Sequence, residues 1–209
     1  MEKGKNVVIE GHDGTGKSTQ IKLLGEKLAY HGIESIVFEE PAGGPISNEI
    51  RNIIKNGKFE RETMTDLLLF SASRCELWRK IGKSALEEGK WIVSARNYYS
   101  SIAYQGYGLG LDLKEIENIT RIATDEQYMN PDYAFLLNLD DEKERERRIN
   151  SRGILENPDP FESRRLDFQE RVRLGYIAIA KDRNIPIISA NQPIETISDK
   201  IWSYIEPNL

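Results

Sequence analysis

Residues 6–19 read NVVIEGHDGTGKST, a short β-branched run that breaks at once into glycines and then into a helical pattern. Gly11, Gly16, Lys17 and Ser18 fit the spacing of a phosphate-binding loop joining a strand to a helix. The residue types carry the chemistry. Glycines let backbone N–H groups wrap a phosphate, and the helix N-terminus adds a favourable dipole. The lysine meets the β and γ oxygens, and the serine hydroxyl coordinates Mg²⁺. ATP with Mg²⁺ is the implied ligand, held by Gly11, Asp13, Gly14, Thr15, Gly16, Lys17, Ser18 and Thr19. A glycine-rich turn with no ligand is the plainer reading, and the order strand, loop, helix weighs against it.

Outward from this loop, the run at 6–10 is followed by similar apolar runs at 35–38, 91–94, 133–139 and 185–189. Between them lie segments of helical periodicity at 16–31, 45–55, 63–88, 113–124, 141–151, 163–183 and 193–205. The alternation predicts an α/β, three-layer P-loop NTPase fold, with a five-stranded parallel sheet and helices on both faces. Function then belongs at the C-terminal ends of the strands. Asp112 and Pro193 read as helix starts, Gly32 and Gly89 as helix ends.

The 209 residues, 39% hydrophobic, suit one domain over 1–209. A formal net charge of −5 argues against a surface built to neutralise nucleic acid. One cysteine, Cys75, and two histidines cannot assemble a disulfide or a zinc site. The apolar run in MEKGKNVVIEGHDG is too short for a signal peptide or a spanning helix, so a soluble, cytoplasmic protein without a membrane partner is expected.

Four further segments, VFEEPAGGPISNEIRNII (37–54), LLLFSASRCELW (67–78), EEGKWIVSARNYYSSIAYQGYGLGLDL (87–113) and SANQPIE (189–195), resemble the thymidylate kinase family in order and spacing. The resemblance covers nearly the whole chain, and its least common element is SSIAYQG after a strand and an arginine. It implies transfer of the ATP γ-phosphate to dTMP, giving dTDP and ADP, in a homodimer. Residue by residue, Phe70 matches the aromatic that stacks on thymine and Arg74 the arginine that reaches a base carbonyl. Ser101 and Gln105 match groups at the base edge. Arg51 and Arg96 match the pair that grips the acceptor 5′-phosphate, which suits guanidinium forks. Tyr104 matches the aromatic beside the sugar, and Asp13 the carboxylate that accepts from the 3′-hydroxyl. Asn191, Gln192 and Pro193 fall in the loop against adenine. The resemblance also implies a short lid at about 148–162, within ERERRINSRGILENPDPFESRR, that closes over ATP and supplies a catalytic arginine. Arg148 and Arg152 are its candidates, beside Lys17 and Arg96.

Two positions depart from the family pattern. Ala95 stands where an aspartate usually precedes the arginine after the third strand, and Glu39 stands where an arginine usually precedes the glutamate corresponding to Glu40. With the second and third strands adjacent, the two changes face one another. Either Glu39 or Glu40 has taken over the metal-side carboxylate role beside Ser18, or an ion pair has been rearranged in a weakened enzyme. Glu40 also falls within reach of the acceptor site. A kinase for another deoxynucleotide or for a nucleoside, and a nucleotide-binding regulatory protein without turnover, are the competing functions. Arg51 and Arg96 favour a monophosphate acceptor over a nucleoside.

Overall fold

The computed structural model describes residues 3–56, 60–151, 161 and 164–209. Five strands form one parallel sheet in the order β2-β3-β1-β4-β5: β1 (Asn6–Gly11), β2 (Ser35–Glu39), β3 (Trp91–Ala95), β4 (Tyr133–Asn138) and β5 (Ile187–Ser189). The five-stranded expectation holds, with shifts of one or two residues at strand ends. Every residue of β1 is buried, because this central strand is covered on both faces by helices.

The pleat divides the core in two. Val7 and Ile9 of β1, Val93 and Ala95 of β3 and Phe135 and Leu137 of β4 pack with α1 (Lys17–Tyr30) and α10 (Ile194–Ile205). Ile92 and Leu136, one residue out of phase, belong to the opposite cluster. That cluster is completed by α2 (Pro45–Lys55), α3 (Thr63–Leu77), α5 (Tyr98–Ser101), α6 (Leu113–Ala123), α7 (Glu126–Met129) and α9 (Leu166–Asp182). A two-residue side-chain period thus feeds two separate cores.

Helix ends follow local chemistry. Asp112 accepts from the Glu115 N–H at 2.9 Å, and Asp141 accepts from the Glu144 N–H at 3.0 Å to open α8 (Glu142–Asn150). The expected helix over 63–88 is interrupted. A widened π-turn at Trp78–Gly82 separates α3 from α4 (Lys83–Glu87), and a Cβ on Gly82 would lie 2.7 Å from the Trp78 ring. The stretch after β3 was not expected to be helical, yet α5 continues into a π-helix over Ile102–Gly108. Its glycines hide a helical signature, while Gly108 lies against Phe168 and Val172 of α9 and Gly175 of α9 lies against Tyr107, so the two helices approach closely. The helix expected over 163–183 is seen from Leu166. No helix among the described residues is long and apolar enough to cross a membrane.

Candidate active site

The phosphate loop lies between β1 and α1. Gly11 has φ 148, and a Cβ there would sit 2.4 Å from the Leu137 carbonyl oxygen, so the turn out of the central strand has no room for a side chain. Gly16 caps α1 in the left-handed region at φ 89, and no acidic residue lies in the first turn. The helix N-terminus therefore keeps its attraction for an anion. Lys17 curls over the loop, donating to the carbonyl oxygens of Gly11 at 2.8 Å and His12 at 2.9 Å. Thr15 braces the same turn, its hydroxyl donating to the His12 carbonyl at 2.9 Å. Ser18 donates to the Glu39 carboxylate.

A cavity of about 370 Å³ runs from Lys17, Ser18 and Thr19 to Phe70, Arg74 and Gln105. At its far end Arg74 is fully engaged. Its guanidinium donates to Glu40 at 2.9 Å, Ser101 Oγ at 2.8 Å and the Asn97 carbonyl at 3.0 Å, and lies 5.7 Å from the Phe70 ring centroid. Tyr128 donates to the other Glu40 oxygen at 2.6 Å. Burial pushes the Glu40 carboxyl up, with Arg74 and the Tyr128 hydroxyl opposing. Glu40 is thus committed to Arg74 and Tyr128. Buried Gln105 lines the cavity, and its Nε2 has no hydrogen-bond partner among the described residues. A buried amide donor left open in a cavity is a place for a ligand acceptor.

Midway, Arg96 turns inward from the end of β3 with φ 74. It pairs with Asp13 and donates to Ser100 Oγ at 3.0 Å and Tyr176 Oη at 2.9 Å. Tyr104, expected beside a sugar, donates to Asp13 at 2.7 Å. Burial opposes ionisation of Asp13, but Arg96 and Lys17 outweigh it and hold the carboxyl well below the usual range. Arg51 lines the same cavity and makes no ion pair among the described residues. The two expected phosphate-gripping arginines are therefore brought together, one anchored and one open.

On the other flank of the phosphate loop the contacts are more exposed. Arg148, on α8, donates to Glu144 at 2.7 Å and the Ala190 carbonyl at 3.1 Å, with a long contact of 3.5 Å to the Gly14 carbonyl. It does not line the cavity but ties the phosphate loop to the loop after β5. Asn191, Gln192 and Pro193 follow there. Asn191 donates to Asp140 at 2.9 Å, and Gln20 on α1 donates to the Ile194 carbonyl at 3.0 Å. Arg152 and most of the expected lid lie outside the described residues.

Sequence reasoning passed over several residues. Glu10 is buried at the end of β1 and accepts from the Asn97 and Ser100 N–H groups at 2.8 and 3.1 Å, fixing the turn that carries Arg96. A charge ending an apolar strand was its visible signal. Phe161, lining the cavity 6.3 Å from the Phe70 ring and 5.8 Å from Tyr104, had no signal beyond its place in the lid sequence. Tyr128 and Tyr176 had none, because only the fold brings them to Glu40 and Arg96.

The thymidylate kinase family model matches residues 9–201. A thymidylate kinase from Prochlorococcus marinus (strain MIT 9301) is 40% identical over 206 residues, covering 95% of this chain and 94% of its own. One from Exiguobacterium sibiricum is 37% identical over 201 residues, covering 95% and 92%. The crystal structure of thymidylate kinase from Ehrlichia chaffeensis superposes with a TM-score of 0.79 at 26% identity, over 97% of this chain and 99% of that one. With a phosphate loop opening into this cavity and this likeness along almost its whole length, the chain belongs to the thymidylate kinase family.

Proposed function

We infer that the protein transfers the γ-phosphate of ATP to dTMP, giving ADP and dTDP. The observation that carries this reading is the single cavity in which Lys17 and Ser18 meet Phe70, Arg74 and Gln105. A donor phosphate site and a flat, polar-edged base site opening into one another serve direct transfer between two nucleotides.

In this reading Phe70 stacks on the thymine ring. Arg74, held rigid by Glu40 and Ser101, presents its edge to a base carbonyl. Gln105 Nε2 offers a second donor. Arg51 and Arg96 hold the 5′-phosphate, and Tyr104 and Asp13 close on the sugar. The phosphate loop orients the triphosphate while Lys17 follows the charge of the phosphoryl group in flight. Asn191, Gln192 and Pro193 border adenine, with Arg148 clamping that loop to Gly14. Arg152 is the arginine proposed to reach the transferring group from the lid.

The donor set fits Mg²⁺. Among the described residues no three His, Cys, Asp or Glu side chains gather, whereas Ser18 offers a hard hydroxyl oxygen beside the loop, which suits a cation that keeps waters and phosphate oxygens as its other ligands. Bound there, Mg²⁺ would neutralise the developing phosphate charge.

A cytoplasmic location matches the substrate pair. Apolar Ile46, Ile53 and Leu68, exposed on α2 and α3, support a homodimer, which sedimentation would register as twice the 24.0 kDa chain. An ADP-release assay with dTMP, dUMP and thymidine tests the reaction. Release with dTMP is expected, while release with thymidine but not dTMP would make the protein a nucleoside kinase.

A further inference from the structure

We propose that Glu39 supplies the carboxylate on the metal side of this site, a role that rests on the ATP·Mg²⁺ reading above. P-loop enzymes hold the cation between the loop Ser or Thr and a carboxylate from a neighbouring strand. Three acids line the cavity among the described residues: Asp13, Glu39 and Glu40. Asp13 is taken by Arg96 and Tyr104, and Glu40 by Arg74 and Tyr128. Glu10, just behind them, is buried and saturated by Asn97 and Ser100. Glu39 differs from all three. It is exposed, forms no ion pair among the described residues, and its partner is the Ser18 hydroxyl.

Strand register explains how it arrives there. Glu39 pairs with Ala95 across β2 and β3, so both side chains rise from the same face of the sheet. Ala95 packs in the core cluster that contains α1, and Ser18 lies in the first turn of α1. Glu39 therefore projects toward the phosphate loop, while Glu40, one residue on, projects to the other face and Arg74. Ala95 brings a methyl group and no oxygen to this edge. The carboxylate stands one strand over, roughly 5 Å across the sheet. An unpaired carboxylate beside a triphosphate would repel it, and a divalent cation between them reverses that sign.

The test is Glu39→Gln, which keeps size and a hydrogen-bond acceptor but removes the charge. Mn²⁺ binding to the protein–ADP complex, followed by electron paramagnetic resonance, is expected to weaken by about tenfold or more. ADP binding in excess EDTA is expected to stay level or tighten, because a repulsion has gone. Adding Ala95→Asp to Glu39→Gln is expected to recover Mn²⁺ affinity, the signature of two positions serving one cation. Unchanged Mn²⁺ affinity in Glu39→Gln, or equal weakening of ADP with and without metal, overturns the proposal. If the wild-type protein neither binds ADP nor releases it with dTMP, the ATP reading itself falls. If it does both while Glu39→Gln leaves Mn²⁺ binding intact, only the carboxylate assignment falls.

Discussion

On the proposed acceptor side Arg74, Glu40, Tyr128, Ser101 and the Asn97 carbonyl form a closed, buried network, whereas on the proposed donor side Arg148 is held by half-exposed Glu144 and two backbone carbonyls. The groups proposed to read the base are thus in place before any ligand arrives, and their ordering cost is met during folding. The contacts of Arg148 are the more exposed. Such a division suits the proposed roles, a preformed site that selects the base and a more exposed one that takes and releases ATP.

The largest effect that could break this contrast lies at Lys17. Lys17→Ala is expected to lower kcat by about 10³-fold or more while leaving thermal stability near wild type, since its buried ammonium serves phosphate charge. Near-normal turnover would remove the phosphate-loop assignment. Arg74→Ala should behave in the opposite manner. It strands Glu40 in the core, so a loss of roughly 3–5 kcal/mol in urea unfolding is expected, together with a rise in KM for dTMP far above that for ATP. A companion variant, Arg74→Met with Glu40→Leu, is expected to recover stability but not dTMP affinity. Recovery of both would mean that the pair has no role in recognition.

How much of this was legible in the sequence follows the same division. The phosphate loop and the strands are written locally, in glycine spacing and β-branched runs, and the register of Glu39 against Ala95 emerged as the expected strand neighbours. Phe70, Arg74, Ser101 and Gln105 were found through family resemblance, and the fold brings all four to one cavity. The residues that hold them were not legible. Tyr128 reaches Glu40 across 88 positions and Tyr176 reaches Ser100 across 76, so no local pattern records either contact. The helix through Ile102–Gly108 was hidden because its glycines serve packing, Gly106 against α6 and Gly108 against α9, and not helix propensity.

His12 marks the seam between the two sides and gives a smaller effect, in pH dependence. Burial lowers its pKa from the ordinary 6.5 to about 4, and its ring meets Gln169 at 2.8 Å. The folded state therefore binds fewer protons than the unfolded chain between these values. Stability from this group is full above pH 6.5 and is lost as pH falls toward 4, by about 2 kcal/mol at pH 5. Urea midpoints at pH 7 and pH 5 should show His12→Gln losing about that much less than wild type. Equal losses would mean that the ring accepts its proton without leaving its place.

The smallest effect, and the one that most sharpens the contrast, is at Arg148. Its guanidinium is spent on Glu144 and the Ala190 carbonyl, with Gly14 at the edge of reach, so it links the phosphate loop to the loop expected to border adenine. A partly exposed arginine in that position contributes about 1 kcal/mol, which converts to about a fivefold rise in KM for ATP on truncation to alanine. The KM for dTMP should not move, because none of these contacts touches the acceptor network. Steady-state kinetics with each substrate varied in turn would show the split. A fall in kcat of about 10³-fold with KM unchanged would instead make Arg148 the transition-state arginine. The reaction would then rely on a residue that must leave Glu144, the Ala190 carbonyl and the Gly14 carbonyl to act, the opposite of Arg74, which Glu40 and Ser101 hold in place.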